Sequence, residues 1–174
     1  MQVTTNGGAC WKSRRLTMIK YIIIAIIGVL LISALLPSYI RIKGHSMYPT
    51  LHNRGVYRVI PRPFVKEYKR GDIAVIYVQG IIPYTKRVIA VGGDRLRVTR
   101  KGEVTINGKP LKEPYVLPKN RGGKAVNIVV PDGCYFVMGD NRCASTDSRD
   151  FGVIERWQML GKVILKERGK CQRK

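Results

Sequence analysis

The 174-residue chain is predicted to form a mainly β domain, an antiparallel sheet, behind one N-terminal helix that crosses a membrane. Two observations predict this fold class. One long apolar run lies near the N-terminus, and the rest of the chain alternates short β-type runs with turn residues. After the apolar run, roughly 130 residues remain, which is close to the usual size of one domain.

The apolar run covers Tyr21 to Leu36, and residues 18–20 extend it toward the ~20 residues that cross a bilayer. A cleavable secretory signal has a similar layout but ends at small residues, whereas this run ends at bulky leucines before Pro37. We therefore predict an uncleaved anchor. The predicted boundaries are a basic cytoplasmic tail at residues 1–17, an anchor at 18–37 and a folded domain at 38–174.

Basic residues precede the apolar run at Lys12, Arg14, Arg15 and Lys20. Such a bias favours a cytoplasmic N-terminus, and a long domain can translocate whatever its charge. We therefore expect a single-pass protein of the cytoplasmic membrane whose domain is extracytoplasmic.

The formal net charge is +21, from 32 Lys and Arg against 11 Asp and Glu. A basic surface of this kind is attracted to anionic lipid headgroups. Nucleic acid is the competing partner, but the sequence has no recognition-helix pattern, no zinc-ligand spacing and no aromatics interleaved with Arg on neighbouring strands. We therefore expect a lipid bilayer, and no nucleic acid, as a partner.

The cysteines are Cys10, Cys134, Cys143 and Cys171. Under the predicted topology Cys134, Cys143 and Cys171 lie outside the membrane, and an odd number of cysteines cannot all form disulfides with one another. A disulfide between Cys134 and Cys143 is therefore left as an open alternative. The sequence has no CxxC or Cys/His spacing typical of a metal site, and its two histidines, His45 and His52, lie in one loop region. We expect neither a metal nor another cofactor.

Seven segments of the domain have the composition and alternation of strands. They are Ile73 to Val78, Tyr84 to Val91, Leu96 to Thr99, Glu103 to Ile106, Asn127 to Val130, Tyr135 to Met138 and Leu160 to Leu165. Turns at Lys101-Gly102 and Asn107-Gly108 flank the fourth segment, because glycine adopts the positive φ that tight hairpins need. Residues 110–124 are poor in apolar side chains and predict an exposed loop. A helical turn is expected around residues 155–158.

Ser46 and Lys86 are the candidate catalytic residues. A serine hydroxyl is a poor nucleophile until a base removes its proton, and a lysine amine is a base only when neutral. An exposed lysine, with a pKa of ~10.4, is neutral in about one molecule in 2,500 at pH 7, so burial must lower that pKa. Strand alternation predicts that Lys86 shares a largely apolar face with Tyr84, Val88 and Ala90.

Ordinary structural roles compete with this hypothesis, because most lysines are solvated and Ser46 precedes a turn. Arg87 is expected on the opposite face of the strand, in water. Gly44 permits close backbone approach, while Met47 and Leu51 provide apolar surface for a peptide with small side chains. The backbone N–H of Ser46 is one candidate donor to an oxyanion, and the sequence identifies no second donor.

Residues 138–152 combine turn formers, hydroxyls and opposite charges. Asp140-Asn141 suits a turn, and Asp147 and Arg149 are candidates for a pair that fixes the loop. The hydroxyl of Ser145 could orient a lysine amine through a hydrogen bond, and its neighbour Ala144 is small enough to leave room.

Four segments in a fixed order carry a resemblance to a known family. They are SMYPTL at residues 46–51, RGDIAV at 70–75, KRVIAVGGD at 86–94, and GDNR at 139–142 followed by STDSR at 145–149. With these segments, nearly the whole chain resembles bacterial type I signal peptidase, the membrane-bound Ser/Lys enzyme that removes signal peptides from exported preproteins. The implied fold is an antiparallel β catalytic domain of the signal peptidase/LexA type, here with a single anchor.

The resemblance implies a role for each candidate residue. Ser46 would be the acylated nucleophile, Lys86 the general base and later acid, Ser145 the residue that orients the lysine, and Asp147 with Arg149 the supporting pair. It also implies a substrate bound as an added β-strand, with pockets for small side chains at the −1 and −3 positions. By position, one wall comprises Ile42, Lys43, Gly44, Met47 and Leu51, and the other comprises Tyr84, Thr85 and Lys86.

One departure from the family pattern concerns Gly44, which stands where some members have a serine that helps to hold the oxyanion. In this respect the chain is similar to the Gram-positive form. Two alternatives remain open: a dedicated peptidase of conjugative transfer or pilin maturation, and a non-catalytic basic membrane adaptor in which Ser46 and Lys86 are structural.

Overall fold

A computed structural model of the protein describes residues 17–29, 38–78 and 83–165. Residues 17–29 are helical (α1), and their large apolar side chains are exposed. Among the described residues, no helix has both the length and the apolar character that a membrane crossing requires. Residues 1–16 and 30–37 lie outside the described residues, so the predicted tail and anchor stay predictions.

The domain from Ser38 onward is built from two antiparallel sheets. Its strands are β1 (Ser38–Arg41), β2 (Val56–Pro61), β3 (Ile73–Ile76), β4 (Tyr84–Val91), β5 (Arg95–Val98), β6 (Val104–Ile106), β7 (Lys109–Pro110), β8 (Val126–Val129), β9 (Cys134–Met138), β10 (Ile154–Glu155) and β11 (Met159–Ile164). The larger sheet has the order β1-β2-β11-β3-β4-β9-β10, and the smaller has the order β7-β6-β5-β8. The predicted mainly β, antiparallel fold is confirmed.

Each of the seven predicted strands is present, with ends that differ by no more than two residues. Both predicted tight turns contain glycine at positive φ, Gly102 at 82° and Gly108 at 79°. The predicted helical turn is a 3-10 helix at Arg156–Gln158. The sequence prediction missed β1 and β2, and also the two-residue strands β7 and β10.

The strand β4 contains an irregularity that breaks its alternation. The pairing of β4 with β9 shifts between Val88 and Ala90. Val88 packs in the apolar cluster of β3 and β9, whereas Ile89 and Ala90 both pack toward the smaller sheet. The predicted common face of Lys86 and Ala90 is therefore wrong, because a bulge moves every later side chain to the other side.

The loop of residues 110–124 is also not the exposed loop that its composition predicts. Glu113, Val116 and Asn120 are all buried, and Pro118–Asn120 forms a 3-10 helix. Burial of Glu113 is possible because its carboxylate forms an ion pair with Arg142, a residue 29 positions away. Local composition carries no signal of such a distant partner.

Candidate active site

Ser46 lies in the turn between β1 and β2, and apolar side chains hold that turn against the sheet. Met47 and Leu51 are 1% and 0% exposed and pack on Ile73 and Val75 of β3. Burial of each such side chain stabilises the fold by about 1.5 to 3 kcal/mol. Ser46 itself is only partly buried. The turn is therefore fixed from beneath while its serine remains accessible.

Lys86 lies in the middle of β4, between β3 and β9, opposite Ala74. It is 2% exposed. Burial lowers the pKa of Lys86 to about 8, although the nearby Asp147 carboxylate raises it. With that pKa, about one amine in ten is neutral at pH 7. Part of the Lys86 population is therefore uncharged near neutral pH, and only the uncharged amine can accept a proton.

Ser145 accepts a hydrogen bond of 2.9 Å from the Nζ atom of Lys86. The ring of Tyr84 also lies near the amine, with its centroid 5.7 Å from Nζ. Within the described residues, the hydroxyl of Ser46 forms no hydrogen bond. A catalytic contact that tightens only when substrate binds is common in apo enzymes.

Gly139 is the point at which the Ser46 turn meets the Ser145 loop. A Cβ atom added to Gly139 would lie 2.6 Å from both the carbonyl oxygen of Ser46 and the Cβ of Ser145. The backbone N–H of Asn141 also donates to the Ser46 carbonyl at 2.9 Å. Only glycine permits this approach, which brings the two serines to one place in the fold.

The predicted pair of Asp147 and Arg149 is present and buried, with side-chain exposures of 0% and 3%. Arg149 Nε and Nη2 donate to the two carboxylate oxygens at 2.8 and 2.9 Å. The same carboxylate accepts the N–H of Gly139 at 3.0 Å and caps a short helix, α2 (Ser148–Phe151). Asp147 therefore links the helix start to the glycine that lies between the serines.

Arg87 is not in water, contrary to the sequence prediction. It is 6% exposed, and its Nε and Nη2 atoms donate to the Asp140 carboxylate at 2.8 and 2.6 Å. Thr50 Oγ1 donates to the same carboxylate at 2.5 Å. Asp140 is therefore more than a turn former, since it ties β4 to the turn that carries Ser46. Its burial follows from partners that are distant in sequence.

A cavity of about 380 Å³ lies beside Ser46. Its lining includes five of the predicted substrate-binding residues, namely Ile42, Lys43, Met47, Tyr84 and Thr85. The prediction missed Ile40, Arg41 and Pro83, which complete the lining. Leu51 lies in the core beneath the turn.

Gly44 is not part of the cavity lining, and its backbone has a φ of 93°. Its N–H donates to Asn53 Oδ1 at 3.0 Å. This amide therefore already has an acceptor within the turn, and the Ser46 N–H stays the candidate donor to an oxyanion.

A family model described as "Signal peptidase, peptidase S26" matches residues 15–166. The chain belongs to this family. It is therefore a serine peptidase of the signal peptidase I type, and the resemblance predicted from the sequence is confirmed.

Individual relatives agree with the family match. Signal peptidase I of Bacillus licheniformis is 37% identical over 164 residues, which cover 86% of this chain and 87% of the relative. Signal peptidase IB of Staphylococcus aureus is 31% identical and covers 87% of this chain and 88% of the relative. The crystal structure of a signal peptidase I from Enterococcus faecalis V583 has a TM-score of 0.51 and 28% identity, over 57% of this chain and 99% of that one.

The remaining reactive side chains do not form a second centre in the described part of the chain. Cys134 and Cys143 are free thiols, so the bridge left open by the sequence is not formed. Cys10 and Cys171 lie outside the described residues. Among residues 17–29, 38–78 and 83–165, no cluster of three His, Cys, Asp or Glu side chains could hold a metal ion.

Proposed function

We propose that the chain is a membrane-bound serine endopeptidase that removes N-terminal signal peptides from exported preproteins. Family membership supports the reaction class. The observation that carries the Ser/Lys mechanism is the buried Lys86 amine, hydrogen-bonded to Ser145 at the place where the Ser46 turn meets the Ser145 loop. Ser46 is the nucleophile, Lys86 is the base, and Ser145, Asp147 and Arg149 support them.

Acylation begins when neutral Lys86 accepts the proton of the Ser46 hydroxyl. The Ser46 oxygen then attacks the carbonyl carbon of the residue before the cleaved bond, and the Ser46 N–H donates to the oxyanion that forms. As the C–N bond breaks, the Lys86 ammonium returns its proton to the leaving amine. The signal peptide stays esterified to Ser46, and the mature protein leaves with a free amino terminus.

Deacylation repeats these steps with water. Neutral Lys86 accepts a proton from a water molecule, whose oxygen attacks the ester carbonyl. Collapse of this intermediate breaks the bond to Ser46, and the lysine ammonium returns a proton to the serine oxygen. The reaction uses only side chains, the backbone and water.

Cleavage after small residues, of the A-x-A type, is the specificity that the cavity favours. Among the described residues β1 pairs only with β2, which leaves its other edge unpaired, and Ile40 and Arg41 of β1 line the cavity. A signal peptide that adds there as a strand would gain main-chain hydrogen bonds, while alternate side chains point into the cavity. Met47 and Tyr84 are among the side chains that such a peptide would contact.

The proposed location is the cytoplasmic membrane, with one crossing at residues 18–37 and the peptidase domain outside. The apolar run and the basic residues before it support this orientation. Its partners are then the signal peptides of exported preproteins and the lipid bilayer, without nucleic acid.

A cleavage assay with the full-length protein in detergent tests the proposal. A panel of exported precursors is incubated with the wild type, Ser46→Ala, Lys86→Ala and Lys69→Ala, and product N-termini are sequenced. We expect wild-type cleavage after A-x-A, a loss of about 10⁴-fold or more in the first two variants, and normal cleavage by Lys69→Ala, whose side chain is 74% exposed.

The same assay separates the alternatives. Equal activity of wild type and Lys86→Ala, both folded, would reject the Ser/Lys mechanism. Cleavage of a single precursor in the panel would indicate a dedicated peptidase, and cleavage of none would favour the membrane adaptor.

A further inference from the structure

Glu113 lies in the loop after β7, and its carboxylate is buried against a guanidinium. Its side chain is 1% exposed, and that of Arg142 is 0% exposed. Arg142 Nη1 donates to one carboxylate oxygen at 3.1 Å, and Nη2 donates to the other. Each charge would be strongly destabilising in this place without the other, so the position of Arg142 depends on Glu113.

Arg142 connects Glu113 to the site. Its Nε donates to the carbonyl of Gly139 at 3.0 Å, and Gly139 is the residue against which Ser46 and Ser145 both lie. The Arg142 carbonyl in turn accepts a hydrogen bond of 2.7 Å from Arg149. The guanidinium of Arg142 therefore binds Glu113 through its two Nη atoms and the loop that carries Ser145 through Nε.

Tyr115, two residues after Glu113, extends the same contact to the base strand. Its hydroxyl donates to Glu113 at 3.2 Å, and its ring lies under Arg87, whose Cζ is 3.9 Å from the ring centroid. Arg87 directly follows Lys86 in β4. Residues 113–115 therefore touch both the strand that carries the base and the loop that carries Ser145.

We propose that Glu113 is a positioning residue of the peptidase reaction, which holds the loop from Gly139 to Ser145 through Arg142 so that Ser145 accepts the hydrogen bond of Lys86. This inference rests on the proposed function. Without the carboxylate, the charge of Arg142 draws it toward water, and the loop moves with it. Water then reaches the amine.

The charges that act on Lys86 belong to Asp147, Arg149, Asp150 and Asp140. Glu113 acts through the position of the loop and not through its own charge on the amine. Loss of Glu113 therefore raises the pKa of Lys86 toward its ordinary value, because the amine becomes hydrated. A purely structural role would lower the amount of folded enzyme and leave this pKa unchanged.

The test compares Glu113→Gln with Glu103→Gln, which changes the same group at an exposed position directly before β6. For each variant, kcat and KM on a peptide with an A-x-A site and the pH profile of kcat/KM are measured, with circular dichroism as the check on folding. We expect Glu113→Gln to lose about 10- to 100-fold in kcat at pH 7 with KM nearly unchanged. The midpoint of its pH profile of kcat/KM should lie at a higher pH than that of the wild type. Glu103→Gln should match the wild type in kcat and in this midpoint.

A folded Glu113→Gln variant with the wild-type midpoint would overturn the inference, whatever its rate. If this variant does not fold, Tyr115→Phe replaces it, because that change removes only the donor to Glu113 and keeps the ring beneath Arg87. A smaller upward shift of the midpoint is then expected, and an unchanged midpoint overturns the inference. If the pH profile of the wild type has no midpoint near pH 8, the proposed Lys86 mechanism is wrong. If the wild type has that midpoint and the variants share it, the Lys86 mechanism is supported and the proposed role of Glu113 is wrong.

Discussion

The segment that carries the proposed nucleophile and the segments around the proposed base differ sharply in charge. Residues 38–66 contain Ser46, six Lys or Arg and no Asp or Glu. None of these six cations forms an ion pair with any described residue. Around Lys86, by contrast, each nearby guanidinium is buried against a carboxylate, in the pairs Arg87–Asp140, Arg149–Asp147 and Arg142–Glu113.

The difference reflects what each group must do. A hydroxyl that attacks a peptide must be reachable, so its turn can lie at the surface and be held by apolar side chains beneath it. An amine that must stay neutral has to be kept from water, and the polar groups around it need partners inside the protein. Buried ion pairs around the amine hold its neighbours in place and leave none of their charges without a partner. Breaking a pair near the base should therefore cost far more than removing a cation near the nucleophile.

The largest effect on stability is expected from Asp147→Asn. This change leaves the guanidinium of Arg149 buried without a counter-ion and weakens the cap of α2. The free energy of unfolding should fall by about 3 to 5 kcal/mol in urea titrations at pH 7. Asp132→Asn, at an exposed position, is the control. An equal, small loss in the two variants would show that the buried pair is not what holds the loop.

The next largest effect is a gain of stability in Lys86→Met, which removes the buried amine. The folded pKa of about 8 lies below the ordinary value of 10.5, so folding disfavours the charged form. That penalty is fully present below pH 8 and disappears as pH rises through 10.5. After the lost hydrogen bond to Ser145 is subtracted, the gain at pH 7 should be about 2 kcal/mol.

Urea titrations at several pH values check this gain. The advantage of Lys86→Met over the wild type should shrink between pH 8 and 10.5. A variant that is less stable than the wild type at pH 7 would mean that the amine is hydrated in the folded protein.

A smaller effect is expected from Ser145→Ala, which removes the acceptor that orients the amine. The fold should be retained, since alanine fits the same space, while kcat should fall by about 10- to 100-fold. The fall in kcat is measured from steady-state cleavage of a peptide with an A-x-A site. An unchanged kcat would show that Ser145 does not orient the Lys86 amine for catalysis.

The smallest effect is expected on the nucleophile side, from Arg58→Gln. Arg58 is exposed on β2. Its removal should change the free energy of unfolding by no more than about 0.5 kcal/mol. A larger loss, measured in the same urea titrations, would show that the cations of residues 38–66 do stabilise the fold.

The sequence predicted those parts of the site that depend on local pattern. The strand from Tyr84 to Val91 was predicted with its observed ends, and its apolar residues indicated a buried Lys86. The bulge after Val88 was not predictable from alternation, because it arises from the pairing with β9. The short edge strand β1 was missed, since four residues with an exposed Tyr39 and Arg41 give little periodic signal.

The ion-pair network could not be predicted, because its partners are distant in sequence. Arg87 and Asp140 are 53 positions apart, and Glu113 and Arg142 are 29 apart. Local composition predicts that a charged residue is exposed, whether or not a counter-ion from a distant part of the sequence packs against it. For this reason the sequence predicts an exposed loop at residues 110–124, although Glu113 is buried there.

The pH dependence of wild-type kcat/KM tests the central claim most directly, because it reports the ionisation of the free enzyme. The substrate is a peptide with an A-x-A site and no group that titrates between pH 7 and 10. Burial lowers the pKa of Lys86 and so predicts a rate that rises to a plateau as the amine loses its proton, with a midpoint of about 8. A midpoint at the ordinary lysine value of 10.5, or a rate independent of pH, would contradict it.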